Sequence, residues 1–236
     1  MTPAGLYLGY DPGGANKHGV AAVEVAREGT IRRVKSSVVK DAGAALQWLL
    51  AWPNARALGI DTLLAWSLRG KRCCDETLRE AYGAATVIQQ NSLFSAMTLN
   101  GIMVANRFRR CRDETRLVES HPKLLMRLLC SRKCAGQTLD PGEISVVCHY
   151  GRLLARTDCD GVEDHAADAL VAAWCASRRE TWPVPNLYVS YPERCGYYYP
   201  AGLGVSYPWI EIPGTPSWAA DLSSHQDFVA ATSELC

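Results

Sequence analysis

The stretch LYLGYDPGGANKHGVAAVEVAREGTIRRVKSSVV (residues 6–39) holds three apolar, strand-like runs separated by two turns. The runs cover residues 6–10, 19–25 and 31–39. The first turn contains Pro12, Gly13 and Gly14, and the second contains Gly29, which are residue types that favour chain reversal. Because short turns join antiparallel neighbours, this stretch predicts a three-stranded meander at the front of the fold.

Helices and strands alternate in the prediction for the rest of the domain. Asp41 is placed to cap a helix that Pro53 stops, and a short buried strand follows at 57–60. The later predicted elements are a mostly helical region at 75–106, a strand at 115–119, and helices at 122–129, 142–155 and 161–179, with a loop around Pro141 and Gly142. This order predicts an α/β fold with a mixed five-stranded sheet flanked by helices.

Composition divides the chain into regions. Residues 1–180 are predicted to form the domain, with 67–113 as a helical, basic insertion. Residues 181–236 contain 7 of the 12 prolines and 6 of the 10 tyrosines, a composition that favours an extended arm. The arm either packs on its own chain or is exchanged with a second copy, which would make a homodimer.

The overall composition, with 48% hydrophobic and 21% charged residues over 236 positions, is that of a globular protein. Its apolar stretches are shorter than a membrane-spanning helix needs, and the first residues lack a signal peptide pattern, so we expect a cytoplasmic protein with no membrane partner. Ten irregularly spaced cysteines favour free thiols over a disulfide framework. The alternative is a zinc site drawn from Cys130, Cys134, His121, Cys148 and His149.

Carboxylates recur at the ends of the predicted strands. Asp11, Asp61 and Glu119 each stand at the end of an apolar strand, and Asp168 lies one turn after Asp164 on the last helix. A cap, a turn or a surface position explains any one of these acids taken alone. Because the pattern repeats, we expect the acids to converge on Mg²⁺ or Mn²⁺, which prefer oxygen ligands.

Four short blocks, in order, resemble the conserved blocks of the domain-of-unknown-function family numbered 429. The blocks are LGYDPGG (8–14), GIDTLLAW (59–66), VESHP (118–122) and DHAADAL (164–170). The predicted function of that family is a ribonuclease-H-like nuclease. The last block is also similar to the final motif of RuvC-type nucleases, in which a histidine precedes the last metal-binding aspartate by three residues, as His165 precedes Asp168. The resemblance covers about residues 5–179 and excludes the arm.

The resemblance implies phosphodiester hydrolysis by two metal ions about 4 Å apart, with Asp11 bridging them and His165 assisting. The other implied ligands are Asp61, Glu119 and Asp168, with Asp164 as the substitute. Glu119 lies on a later strand than the corresponding acid of the better-known nucleases. The identity of the third ligand therefore stays open.

Basic residues are concentrated in the middle of the chain, where residues 63–133 carry 13 basic and six acidic side chains. The candidates for contacting nucleic acid are Lys17, Arg107, Arg109, Arg110 and Arg112, with Phe108 as a stacking surface and His18 as a further phosphate contact. No base-reading motif accompanies them, so a solvated surface explains them equally.

Two other functions fit parts of the pattern. In an actin-like nucleotide-binding protein of the ATPase type, Asp11, Gly13 and Gly14 would hold ATP phosphates and Mg²⁺. Such proteins use two copies of the fold, and this chain has room for one. A catalytically inactive ribonuclease-H-like module that binds a partner through residues 181–236 is the second alternative, and a loss of metal binding would point to it.

Overall fold

The computed structural model describes residues 4–64, 66–67, 95–134, 136–155, 162–178 and 197–198. A mixed five-stranded sheet in the order β3-β2-β1-β4-β5 forms its centre. The strands are β1 (Gly5–Asp11), β2 (His18–Val25), β3 (Ile31–Val39), β4 (Ala55–Ile60) and β5 (Arg116–Glu119). The first three pair as an antiparallel meander, and β1, β4 and β5 run parallel. The mixed five-stranded sheet confirms the prediction from the sequence, and its strand order is that of a ribonuclease-H-like fold.

Five helices flank the sheet. They are α1 (Ala42–Leu50), α2 (Ser95–Cys111), α3 (Pro122–Cys134), α4 (Pro141–Leu154) and α5 (Val162–Arg178). Helix α5 lies across β1, β2 and β4 with α3 and α4 beside it, whereas α1 contacts β2, β3 and α2. The two groups of helices cover the two faces of the sheet, because right-handed crossovers place α1 and α2 on the same side.

Three predicted boundaries were wrong. Helix α2 continues to Cys111 instead of stopping near residue 106, because the buried Phe108 extends its apolar face. Helix α3 runs to Cys134 instead of 129, with Cys130 buried and Arg132 bound to Glu143 at 2.7 Å. Pro141 and Gly142 begin helix α4 rather than forming a loop, because the Asp140 side chain caps it and Pro suits a first helical turn.

Helix α5 approaches the sheet at three glycines, of which Gly9 and Gly59 face each other on neighbouring strands. A Cβ atom at Gly19 would overlap the carbonyl of His165, at Gly9 that of Ala169, and at Gly59 that of Ala172. The absence of a side chain therefore lets the helix backbone rest on β2, β1 and β4. This contact fixes which residues of α5 lie above the ends of the strands.

Several predictions fall on residues outside those described. They include most of the basic insertion and nearly all of the C-terminal arm, so the predicted division into regions stays a prediction. Of the arm, Tyr197–Tyr198 is described, and its backbone pairs antiparallel with Trp66–Ser67. No helix in the described part of the chain is long and apolar enough to cross a membrane.

Candidate functional site

The carboxyl ends of the three parallel strands meet at one edge of the sheet. In the register of the sheet, Tyr10 lies beside Ile60, and Ile60 beside Glu119. The Asp61 amide donates to the Tyr10 carbonyl at 2.9 Å, which continues the β1–β4 pairing past the strand end. Asp11 and Asp61 therefore end neighbouring strands at the same level, as expected of ligands in parallel sheets.

Helix α5 brings three more polar side chains to this edge. Because the helix rests on Gly9 and Gly19, its residues Asp164, His165 and Asp168 lie above the end of β1. Nδ1 of His165 is 2.5 Å from Oδ2 of Asp11. We call Asp11, Asp61, Asp164 and Asp168 the acid cluster.

The acids of the cluster repel one another inside the protein. Burial raises the pKa of Asp11 well above its ordinary value of 3.8, and the charge of Asp168 raises it further. Burial also raises the pKa of Asp61, to which Asp11 and Asp168 add. Burial raises the pKa of Asp168 to about 7, even though Lys123 opposes the shift. The cluster therefore holds more negative charge than its protein neighbours compensate.

His165 is hydrogen-bonded to Asp11. Burial lowers the pKa of His165, and this effect outweighs the opposing charges of Asp164 and Asp168. Nδ1 of the imidazole is within hydrogen-bond distance of the Asp11 carboxyl. The contact orients the ring at the edge of the cluster.

Two residues that the sequence did not indicate complete the cluster. Lys123, in the first turn of α3, places its Nζ 2.9 Å from Oδ2 of Asp164 and 3.4 Å from Oδ2 of Asp168. The buried Tyr150 donates its hydroxyl to Oδ1 of Asp168 at 3.2 Å. Burial opposes the charge of Lys123, but Asp168 and Asp164 outweigh it and raise the pKa of its ammonium. Lys123 is therefore a charged member of the site.

Glu119 lies beside the acid cluster with both carboxylate oxygens in contact with protein groups. It is fully buried, its Oε2 accepts the Leu64 amide at 2.7 Å, and its Oε1 lies 3.2 Å from Nε2 of His121. Nδ1 of His121 is 3.8 Å from Oδ1 of Asp61. Glu119 thus fixes the chain after β4 and positions His121 next to Asp61, while its role as a metal ligand stays a prediction.

A metal cage is not formed by the side chains as they stand. Within the described residues, no group of three or more His, Cys, Asp or Glu side chains is arranged to hold a metal ion. Neither the acid cluster nor the zinc ligands suggested by the sequence, which include Cys130, Cys134 and His121, are therefore arranged around a metal position. None of the five described cysteines forms a disulfide bond, and they are Cys111, Cys130, Cys134, Cys148 and Cys175.

The predicted nucleic-acid contacts lie in two separate places. Lys17 is exposed and lies close enough to His165 to lower its pKa, so it is at the acid edge. Helix α2 meets that edge near Asn100, whose amide donates to the Gly13 carbonyl at 3.3 Å, and then runs away from it. At 1.5 Å per residue, its arginines begin about 10 Å further along the helix.

The four arginines also differ in their surroundings. Arg109 donates to the Thr115 carbonyl and Arg112 to the Leu50 carbonyl, each at 3.2 Å, whereas Arg107 and Arg110 are exposed. Arg112 lines a cavity of about 510 Å³ at the amino ends of β4 and β5. The arginines are therefore at the far end of the sheet from the acids.

The raised pKa of Asp168 predicts how stability depends on pH. An unfolded aspartate ionises near 3.8, whereas folded Asp168 keeps its proton up to about pH 7. The contribution of Asp168 to stability is therefore complete below about pH 4 and is lost as the pH rises to about 7, by up to about 4 kcal/mol. We expect Asp168→Asn, measured in EDTA, to gain thermal stability over the wild type as the pH rises through this range. A constant difference between the two proteins from pH 4 to 8 would contradict the shift.

Comparison with known proteins does not place the chain in a family. No protein-family model matches the chain, and no curated protein matches it. The fold and the site establish a sheet with the strand order of a ribonuclease-H-like fold, with aspartates at two strand ends and two more on the covering helix, where they contact Lys123.

Proposed function

We propose that the acid cluster binds Mg²⁺ or Mn²⁺ and that the protein is a metal-dependent phosphodiester hydrolase, a nuclease in the wider sense. The observation that carries this proposal is the meeting of Asp11, Asp61 and Asp168, from two strand ends and a helix, with the pKa of each raised. Protein cores do not retain uncompensated carboxylates without cost. A bound divalent cation offsets that cost.

The donor set fits such a cation in chemistry and in charge. The cluster has four aspartates and one lysine, which contacts Asp164 and Asp168, so the ionised cluster has a net negative charge for a divalent ion to neutralise. All the donors are carboxylate oxygens, which Mg²⁺ and Mn²⁺ prefer. The side chains do not yet surround a single point, so binding requires them to reorient.

Each residue has a role in the proposal. Asp11, Asp61 and Asp168 would hold the metal, with Asp164 available as a further ligand, and His165 would hold or move a proton beside Asp11. Bound metal would lower the pKa of a water and neutralise charge on the leaving oxygen. Tyr150 keeps the Asp168 carboxyl in place through its hydroxyl.

The substrate in the proposal is a phosphodiester that approaches the acid edge past Lys17, which is exposed there. Nucleic acid is the partner that fits a basic residue beside a metal site. The arginines of α2 would contact it where a strand extends along that helix. Descent from the family numbered 429 is part of this proposal, and it rests on the four sequence blocks.

A cleavage assay tests the proposal. We expect the full chain to hydrolyse a phosphodiester when Mn²⁺ or Mg²⁺ is present and to lose that activity in EDTA. The panel should contain single-stranded and branched DNA, RNA and the small diester bis(p-nitrophenyl) phosphate. Release of phosphate from ATP, without cleavage of any diester, would contradict the proposal and favour the actin-like alternative.

One observation favours a second candidate, a catalytically inactive ribonuclease-H-like module. The ammonium of Lys123 already lies against two of the four aspartates, as a counter-ion would in a protein that uses no metal. In that case, we expect the wild type to bind no Mn²⁺ and to cleave nothing on the panel. Metal-dependent cleavage would exclude this candidate.

A further inference from the structure

We propose that Lys123 is a built-in counter-ion of the acid cluster and that its ammonium must leave Asp164 and Asp168 before a divalent cation binds there. The inference rests on the proposed function, because it concerns how the same cluster takes up its metal. In this proposal, Lys123 controls the affinity of the acid cluster for metal. This role differs from contact with the substrate.

The dipole of helix α3 does not explain the position of the Lys123 ammonium. It is the second residue of α3, and a positive charge in a first helical turn is disfavoured by the helix dipole. The first turn of α3 contains no acidic residue to offset this. The attraction that holds the ammonium therefore comes from α5, through Asp164 at 2.9 Å and Asp168 at 3.4 Å.

The carboxylate oxygens that Lys123 contacts are ones that the proposed metal would use as ligands. Each contact uses an Oδ2 atom, one from Asp164 and one from Asp168, and these carboxylates lie one turn apart on the same helix. An ammonium donates hydrogen bonds in several directions and does not impose a tight oxygen shell. This explains why the aspartates gather without forming a cage.

Lys123 is the exposed partner of this contact, whereas Asp168 is buried. Its side chain is 61% exposed, and that of Asp168 is 4% exposed. Because the lysine side chain reaches water, its ammonium can exchange the two carboxylates for water. A divalent cation brings twice the charge of an ammonium, and its arrival therefore compensates the departure of Lys123.

The test measures Mn²⁺ affinity by calorimetry on the wild type, Lys123→Met and Lys133→Met. Lys133 is an exposed lysine near the other end of α3 and serves as the matched control. We expect Lys123→Met to bind Mn²⁺ about tenfold more tightly than the wild type, because a competing positive charge has been removed. Lys133→Met should bind like the wild type. Lys123→Gln is the second variant, should the methionine variant fail to fold.

Thermal unfolding in EDTA supplies the second readout. We expect Lys123→Met to melt below the wild type without metal, because four aspartates then lack their counter-ion, and to recover the difference in saturating Mn²⁺. Equal Mn²⁺ affinity in the wild type and Lys123→Met would overturn the inference, and a loss of cleavage alone would make Lys123 a substrate contact. Absence of Mn²⁺ binding in every variant is a different result, which refutes the proposed function as well.

Discussion

Replacing Gly9 with alanine is expected to lower the free energy of unfolding by about 3 kcal/mol or more, because the new methyl group overlaps the backbone of α5. The group that it meets is the carbonyl of Ala169, which belongs to a helix in contact with all five strands of the sheet and cannot move alone. For a domain of this size, the loss corresponds to a melting temperature lower by roughly 6–12 °C. Urea unfolding followed by circular dichroism measures it.

Gly14→Ala is the control for this experiment. Gly14 is in the loop after β1, a Cβ there meets nothing within 4 Å, and its φ is not positive. We expect its stability to remain within about 0.5 kcal/mol of the wild type. If Gly9→Ala unfolds at the same urea concentration as Gly14→Ala, helix α5 does not rest on the sheet at Gly9.

Asp11→Asn is expected to abolish metal-dependent cleavage while making the metal-free protein more stable. The asparagine keeps the shape of the side chain and can still accept a hydrogen bond from His165, but it removes a buried charge that Asp168 opposes. We expect the cleavage rate to fall by about 10²- to 10³-fold, as when a group that stabilises transition-state charge is lost. In EDTA, the melting temperature should rise by several degrees.

The opposite signs of these two effects separate a functional residue from a structural one. A structural aspartate loses stability when it is neutralised, whereas a functional acid held against repulsion gains stability at the expense of activity. Asp113→Asn, at an exposed acid in the turn before β5, is the control and should change neither quantity. If Asp11→Asn cleaves at the wild-type rate, Asp11 is not a ligand of the reacting metal.

Most of the sheet was predictable because its signals are local. The meander at 6–39 follows from apolar runs and turn residues that lie next to one another in the chain. Helix ends were predicted less well, because contacts from elsewhere decide them. Helix α3, for example, extends past its apolar repeat where Arg132 binds Glu143 of the next helix.

The site was predictable in part, for the same reason. Acids at the ends of apolar strands are visible in the sequence, and parallel pairing brings Asp11 and Asp61 together. The pairing of Lys123 with Asp164 joins residues 41 positions apart, and that of Tyr150 with Asp168 joins two helices. No local sequence pattern indicates which lysine or which tyrosine contacts the acid cluster. Gly9, Gly19 and Gly59 weaken the prediction of strands, because glycine is disfavoured inside a strand. The structure explains them, since the backbone of α5 rests on the sheet at these positions.

The proposed function depends on one physical claim, that the aspartates at the carboxyl edge of the sheet take up a divalent cation. Titration of Mn²⁺ into the wild type and Asp11→Asn, followed by calorimetry at about pH 8, tests it most directly, since this pH is above the pKa of Asp168. We predict a binding heat in the wild type that is lost in Asp11→Asn and kept in Asp113→Asn. No binding to the wild type, or equal binding to Asp11→Asn, would contradict the claim.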